Sequence, residues 1–214
     1  MPNQDQNSND SGTGKKAGGV AAVILAAGES RRSGDANNLL FEADGEPLVR
    51  RAAGAALASR AVEVITVTGH EADLIATALA GLDLKVVHNP DYRDGLSTSL
   101  KAGISAVPEG RTGALVLLAD MPRISADIID LLIGRFEESG ETDICAPVFD
   151  RRRGHPVLWP RRFFPQLLEV SGDTGGRDLL KRNADGISAV EVDTADIHFD
   201  VDGPKDLPDD LPDK

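Results

Sequence analysis

A carboxylate stands directly after one of the most apolar stretches of the chain. The run L-L-A-D-M-P at 117–122 ends a predicted buried strand at Asp120, and Pro122 prevents that strand from continuing. An aspartate at such a place is costly to desolvate unless a positive group meets it. Mg²⁺ takes oxygen ligands and commonly binds through one or two carboxylates together with substrate phosphates, so Asp120 is a candidate metal ligand. A helix-capping or turn aspartate is the alternative.

A second pair of carboxylates, Asp200 and Asp202, stands two residues apart near the C-terminal end. In an extended segment this spacing puts both side chains on the same face, which makes the pair a second candidate for metal binding. The whole C-terminal end is acidic, however, and solvated aspartates are the simpler interpretation.

The loop after the first predicted strand carries groups that suit an anion. Residues 20–25 form an uninterrupted apolar run, which is typical of a strand buried on both faces. Small residues at 26–28 then leave backbone N–H groups uncovered, and Arg31 and Arg32 add permanent charge. The alternative is an ordinary connection with incidental arginines. The segment has neither a P-loop nor a G-x-G-x-x-G dinucleotide motif.

Two shorter segments also carry ligand-binding groups. The run D-G-L-S-T-S at 94–99 precedes a predicted helix, whose first turn offers free N–H groups and three hydroxyls to an anion or a base. An ordinary capped helix start explains it equally well. His155 in G-H-P could face a ligand, although a lone histidine beside a turn is more often structural.

The elements that must hold these residues alternate between strand and helix. Further strands are predicted at 62–68, 84–88 and 114–119, and helices at 71–80, 97–107 and 125–138. Such alternation indicates βαβ units and an α/β fold with a mostly parallel sheet, in which ligands bind at the carboxyl ends of the strands. Chemistry is therefore expected in the loops at 26–46, 69–70, 89–98 and 119–123. Beyond residue 140 the pattern changes to strands at 143–149 and 156–159 and helices at 161–170 and 177–182.

The composition excludes several classes of protein. The chain has 214 residues, of which 41% are hydrophobic and 27% charged, as in soluble globular domains. A net charge of −12 argues against a nucleic-acid partner. No apolar run predicts a membrane span or a signal peptide. A lone Cys145 excludes an internal disulfide and indicates the cytoplasm, and scattered histidines make a zinc site unlikely. We expect a disordered tail at 1–19, one domain at 20–207 and an acidic tail at 208–214.

Taken in chain order, the motifs resemble those of the molybdopterin nucleotidyltransferases. They are L-A-A-G-E-S-R-R-S-G, V-T-G-H, N-P-D-Y-R-D-G-L-S-T-S-L-K-A-G, L-L-A-D-M-P, G-H-P-V-L-W, G-D-T-G-G-R-D-L-L and D-V-D-G-P-K-D-L, spread over residues 20–207. The resemblance is greatest to the branch that attaches cytidylate to molybdenum cofactor. It implies a Rossmann-like three-layer nucleotidyltransferase fold and a Mg²⁺-dependent reaction. In that reaction the terminal phosphate of molybdopterin attacks the α-phosphorus of CTP or GTP and releases pyrophosphate.

The resemblance also implies a role for each matching residue. The nucleotide would be bound by Leu25, Ala26, Ala27, Gly28, Ser30, Gly34, Asn38, Gly69, Asn89 and Ser97. The catalytic residues would be Arg32 and Asp120, the metal ligands Asp120 and Asp202, and the residues facing molybdopterin Thr98, Ser99 and His155.

Two positions depart from the family pattern. Asn38 occupies the place of a lysine that would neutralise triphosphate charge, and Ser33 replaces a methionine. Losing such a stabilising charge typically costs ~3 kcal/mol, roughly a hundredfold in rate. Because Asn38 falls in a polar loop, we expect it to affect the rate and not the fold.

This departure keeps other functions open. One is a protein that binds nucleotide or finished cofactor and passes it to a molybdoenzyme client. Another is a nucleotidyltransferase acting on a different phosphorylated acceptor, such as a sugar phosphate. For the base, family members that use CTP commonly read L-A-A-G where those using GTP read L-A-G-G, so Ala27 points to CTP.

Overall fold

The computed structural model describes residues 18–29 and 37–207. The predicted tails at 1–19 and 208–214 lie outside these residues, apart from Gly18 and Gly19. In chain order the elements are β1 Val20–Ala26, β2 Glu42–Ala43, β3 Glu46–Pro47, α1 Leu48–Ala58, β4 Glu63–Thr68, α2 Ala72–Ala78, β5 Lys85–His88, α3 Leu96–Ala106, β6 Gly113–Leu118, α4 Ala126–Glu138, β7 Ile144–Phe149, β8 Arg152–Arg153, β9 Val157–Pro160, α5 Phe164–Glu169, α6 Arg177–Arg182 and β10 Ile187–Glu191.

The central sheet has eight strands and is mostly parallel, as predicted. Its order is β10-β7-β9-β6-β1-β4-β5, with β8 paired to β7. Strand β1 lies between β4 and β6 and runs parallel to both. The C-terminal part differs, because β9 inserts antiparallel between β6 and β7. The change of pattern after residue 140 therefore marks the place where the parallel order of the sheet is interrupted.

Hydrophobic clusters pack on both faces of the sheet, which makes the fold a three-layer α/β structure. Along β1, Val20, Ala22 and Ile24 belong to one hydrophobic cluster, whereas Val23 and Leu25 belong to the other. The first cluster includes residues of α1, α2 and α4, and the second includes residues of α3, α5 and α6. The uninterrupted apolar run of β1 follows from this position, since neither of its faces meets solvent.

Helices α2, α3, α4 and α6 agree with the predicted helices, whereas α1 was not predicted and the predicted helix at 161–170 differs. Ser125 caps α4, since its Oγ accepts the Ile128 N–H at 3.4 Å. The predicted apolar stripe of α4 is fully buried and comprises Ile128, Ile129, Leu132, Ile133 and Phe136. The predicted helix at 161–170 is instead divided into a 3-10 turn, Arg161–Phe163, and the short helix α5 with Pro165 in its first turn. Proline lacks an N–H and fits only the first turn of a helix, so α5 starts there.

Two further expectations can be compared with the described residues. Among them, no helix is long and apolar enough to cross a membrane. Cys145 is free and buried in β7, and this burial raises the pKa of its thiol to about 12. Its thiol is therefore protonated at neutral pH.

Candidate active site

A cavity of about 440 Å³ opens at the carboxyl ends of the parallel strands. The residues predicted from the sequence that line it are Leu25, Ala27, Gly28, Asn38, Ser99, Asp120 and Asp202. They come from segments far apart in the chain, and the ends of β1 and β6 bring them together because these two strands are neighbours. We refer to this space as the first cavity.

Asp120 is held at the end of β6 by backbone hydrogen bonds. The Ala119 N–H donates to the Leu25 carbonyl at 3.1 Å, which keeps the strand end against β1. The chain then turns, and the Met121 N–H donates to the Leu118 carbonyl at 3.3 Å. The Asp120 carbonyl in turn accepts the Val201 N–H at 2.9 Å. That bond brings the C-terminal segment, with Asp202 as its next residue, to the end of β6.

The donor set of Asp120 and Asp202 suits a hard divalent cation. Both residues line the same cavity. Within residues 18–29 and 37–207, no group of three or more histidine, cysteine, aspartate or glutamate side chains could hold a metal ion. Mg²⁺ commonly binds through one or two carboxylates and completes its shell with substrate phosphates and water, so two aspartates fit it. Asp200, the other member of the predicted pair, is exposed and is not among the residues of the cavity wall.

The loop after β1 contributes Ala27 and Gly28 to the wall. An ideal Cβ on Gly28 would meet no described heavy atom within 4 Å, so the space beside this backbone is open. Ala26 is buried and faces the core instead. The predicted Ser30, Arg32 and Gly34, with Arg31 and Ser33, lie outside the described residues. Their roles stay predictions.

Gly69 is a packing residue in this structure. A Cβ there would stand 2.7 Å from Cγ of Tyr92 and 2.8 Å from the Ala27 carbonyl oxygen. Its lack of a side chain therefore allows the end of β4 to approach the loop after β1. Gly69 lies behind the wall of the first cavity and supports Ala27.

The start of α3 differs from the open anion site that the sequence suggests. The Leu96 N–H donates to the Asp173 carboxylate at 3.3 Å, so a side chain of the protein already meets the helix N-terminus. Gly95 has φ of 108°, and a Cβ there would stand 2.6 Å from Asp173 Oδ1. Glycine is therefore needed both for the turn and for this close contact. The expectation of free N–H groups is wrong at Leu96.

Two of the three hydroxyls that follow, those of Thr98 and Ser99, form hydrogen bonds within the protein. The Asn89 side chain, 3% exposed, donates to Thr98 Oγ1 at 2.9 Å and to Ser99 Oγ at 3.0 Å. Thr98 Oγ1 lies within hydrogen-bond distance of the carbonyls of Asp91 and Gly95. Of the four residues predicted here, only Ser99 lines the first cavity, whereas Asn89, Ser97 and Thr98 lie behind it. Asn89 thus orders the loop before α3.

A second cavity of about 360 Å³ adjoins the first. The two have four wall residues in common, which are Leu25, Leu96, Leu118 and Asp173. His155 lies in the second cavity together with Trp159 and the basic side chains of Arg153, Arg177 and Lys181. Despite the net negative charge of the chain, this cavity therefore carries local positive charge.

His155 is a neutral group in that wall. Burial lowers the pKa of its imidazole below the ordinary value, and the nearby Arg177 charge lowers it further. Among the described residues, its buried Nδ1 meets no hydrogen-bond partner. A neutral imidazole with an available ring nitrogen can therefore exchange a hydrogen bond with a ligand in the second cavity.

Several wall residues were not singled out from the sequence. In the first cavity they include Glu29, Tyr92 and Arg93, and in the second Arg153, Arg177 and Lys181. The segment G-D-T-G-G at 172–176 was noted only as a motif, yet its aspartate borders both cavities. In the sequence, the adjacent Gly175 and Gly176 close to Asp173 were the available indication that this segment packs tightly against its surroundings.

Asn38 occupies a different environment from the one predicted. It is only 6% exposed and begins the 3-10 turn Asn38–Leu40, and its Nδ2 donates to the Val201 carbonyl at 2.6 Å. The expectation that Asn38 affects the rate and not the fold is wrong in its second part, because this buried side chain bonds to the C-terminal segment.

Comparison with known proteins agrees with this geometry. Residues 22–187 match the MobA-like NTP transferase domain. The chain belongs to this family of nucleotidyltransferases. Its fold is the Rossmann-like three-layer arrangement that the sequence predicted.

Three similar proteins show how varied the relatives of this MobA-like chain are. Nicotine blue oxidoreductase of Paenarthrobacter nicotinovorans is 30% identical over 86% of this chain and 92% of its own. Molybdenum cofactor cytidylyltransferase of Escherichia coli K12 is 29% identical over 88% of this chain and 93% of its own. The crystal structure of Rv0371c from Mycobacterium tuberculosis in complex with manganese superposes with a TM-score of 0.74, at 24% identity, over 89% and 96% of the two chains.

Proposed function

We propose that this protein transfers CMP from CTP to the terminal phosphate of molybdopterin and releases pyrophosphate. The observation that carries the proposal is the pair of adjoining cavities with a common wall at the strand ends. The first contains the candidate metal ligands Asp120 and Asp202 and the open backbone at Gly28, as a metal-bound triphosphate requires. The second holds an aromatic ring and basic groups, as a flat phosphorylated acceptor requires.

The first cavity would bind the nucleotide. Asp120 and Asp202 would hold Mg²⁺, which when bound supplies positive charge to the triphosphate. The crystallised manganese complex of the relative Rv0371c supports a divalent metal here. The open backbone at Gly28 would lie against the phosphates, and Ala27 would limit the space beside the base.

The second cavity would orient the acceptor. Arg177 and Lys181 would attract its terminal phosphate, and Trp159 would offer an aromatic surface to the pterin. The neutral His155 would exchange a hydrogen bond with the ligand. An acceptor phosphate oxygen would then form a bond to the α-phosphorus of the nucleotide, and the bond from that phosphorus to the bridging oxygen would break. The leaving pyrophosphate takes up the negative charge, so holding both substrates in line is the main contribution of the chain.

Pyrophosphate release tests the proposal. The protein is incubated with Mg²⁺ and molybdopterin, and with CTP or GTP, and reactions lacking the acceptor serve as controls. We expect acceptor-dependent release with CTP above that with GTP. Binding of nucleotide without release in any mixture would favour a carrier. Release only with a sugar phosphate would favour a nucleotidyltransferase with another acceptor.

A further inference from the structure

The Asn38 side chain bonds to Val201, the residue that precedes Asp202 and whose N–H donates to the Asp120 carbonyl. Its Nδ2 donates to the Val201 carbonyl at 2.6 Å, across 163 positions of the chain. Asn38, Asp120 and Asp202 all line the first cavity. Asn38 therefore shares a cavity with both carboxylates, and it bonds to the segment that carries one of them.

Val201 is fixed from both sides. Its side chain is fully buried in a small cluster with Ala43 and Leu48. Its N–H donates to the Asp120 carbonyl at 2.9 Å, and its carbonyl accepts the Asn38 amide. Residues 199–203 form no helix or strand, so such individual bonds determine the path of the segment. Asp202 is the next residue after the one that is held.

We infer that Asn38 is a positioning residue, which sets the distance between Asp120 and Asp202 by holding the Val201 carbonyl. The inference rests on the proposed function, because it assigns the two carboxylates to one metal. Ligand carboxylates bind a metal tightly only when surrounding hydrogen bonds orient them. A neutral amide can do this at a buried position without the desolvation cost of an ammonium group.

The test uses Asn38→Leu, which keeps nearly the same shape and removes the donor, and Asn38→Ala as a smaller second variant. Asn183→Leu is the matched control, because the Asn183 amide likewise donates to a backbone carbonyl, that of Leu179 at 2.9 Å. Asn183 lies at the end of α6, and it lines neither cavity. Hydrogen exchange of residues 199–203 is measured without ligand, and Mn²⁺ binding is measured by electron paramagnetic resonance.

We expect the Val201 amide to exchange about three- to tenfold faster in both Asn38 variants, as loss of one hydrogen bond predicts. The dissociation constant for Mn²⁺ should rise roughly tenfold, the lower end for lost support of a metal ligand. Asn183→Leu should match the wild type in both measurements.

The remaining outcomes overturn the inference in distinguishable ways. If the Asn38 variants keep the hydrogen-exchange rate or the Mn²⁺ affinity of the wild type, Asn38 does not position the carboxylates. The metal site itself would then stand. If both Asn38 variants unfold, Asn38 is needed for the stability of the fold, and the inference that it positions the metal ligands is rejected. Failure of the wild type itself to bind Mn²⁺ would remove the metal site, and with it the proposed function.

Discussion

Glu29 and Arg93 form an ion pair between the loop after β1 and the 3-10 turn before α3, with 3.0 Å between Oε1 and Nε. The hydrogen bond to the Glu29 carboxylate raises the pKa of Arg93 above its ordinary value. Both residues line the first cavity. A negative charge in a cavity proposed for a triphosphate is thereby compensated by a neighbouring guanidinium.

Arg93→Gln should weaken nucleotide binding, because it removes a positive charge that lies beside Glu29 in the wall of the first cavity. We expect a two- to fivefold rise in the dissociation constant for CTP, about the scale of an exposed ion pair. The effect should shrink at high salt, since added ions screen exposed charges. Titration at low and high salt measures it, and Glu29→Gln combined with Arg93→Gln should recover wild-type affinity. An equal loss at both salt concentrations would contradict an electrostatic cause.

Gly28→Ala should weaken nucleotide binding and leave the fold intact. The added methyl would meet no described heavy atom within 4 Å, yet it would occupy space where the phosphates approach the backbone. We expect roughly a tenfold loss of CTP affinity with an unchanged Tm. Gly186→Ala is the matched control, since its Cβ also meets no described atom and it lies outside both cavities. Wild-type affinity in Gly28→Ala would place the phosphates elsewhere.

Asp120→Asn should abolish turnover and leave the thermal melt nearly unchanged. The amide keeps the shape of the carboxylate but removes the charge that a divalent cation needs, so we expect at least about a hundredfold loss of rate. Pyrophosphate release and a melting curve measure the two effects. Asp200→Asn removes the same charge from an exposed neighbour of the site and should retain activity. Full activity in Asp120→Asn would exclude metal-assisted chemistry through this residue.

Ala27→Gly should narrow the preference for CTP over GTP. The Ala27 side chain is 4% exposed and belongs to the wall of the first cavity, so its removal enlarges the space for a purine. We expect the ratio of the two kcat/KM values to fall by roughly tenfold, about the effect of one methyl group in a pocket. Competition between equal CTP and GTP measures the ratio. A wild-type preference for GTP would contradict the assignment of the base.

His155 should make the protein less stable as the pH falls. Its lowered pKa means that the unfolded chain takes up a proton near pH 6.5, while the folded chain does so only at lower pH. The free energy of unfolding should therefore decrease from pH 7 toward pH 5, and His155→Gln should reduce this decrease. Urea unfolding across that range measures it, with the exposed His88→Gln as control. If the free energy of unfolding depends on pH in the same way in the wild type and in His155→Gln, protonation of His155 does not destabilise the fold.

Local sequence determined most of the central strands and helices and the edge of the sheet at which the candidate site lies, but it did not predict α1 or β10. Strand β1 could be predicted because its apolar run records burial on both faces, and α4 because its cap and apolar stripe lie within one short segment. Asp120 could be placed at a strand end because it follows the apolar run of β6 and precedes Pro122. In a parallel α/β sheet the carboxyl ends of the strands meet at one edge, so the motifs alone predict a ligand site at the edge where the first cavity lies.

Only the tertiary structure decided which polar groups meet. The bond from Asn38 to Val201, the ion pair of Glu29 with Arg93 and the Asp173 carboxylate at α3 each join segments more than 60 positions apart. Periodicity and capping patterns depend only on residues close to one another in the chain. They therefore could not predict these three contacts, whose partners are distant in the chain. Whether a polar side chain binds a ligand or supports the wall behind it depends on burial and on partners contributed by distant segments. Packing therefore separated Ser99 in the wall from Asn89 behind it.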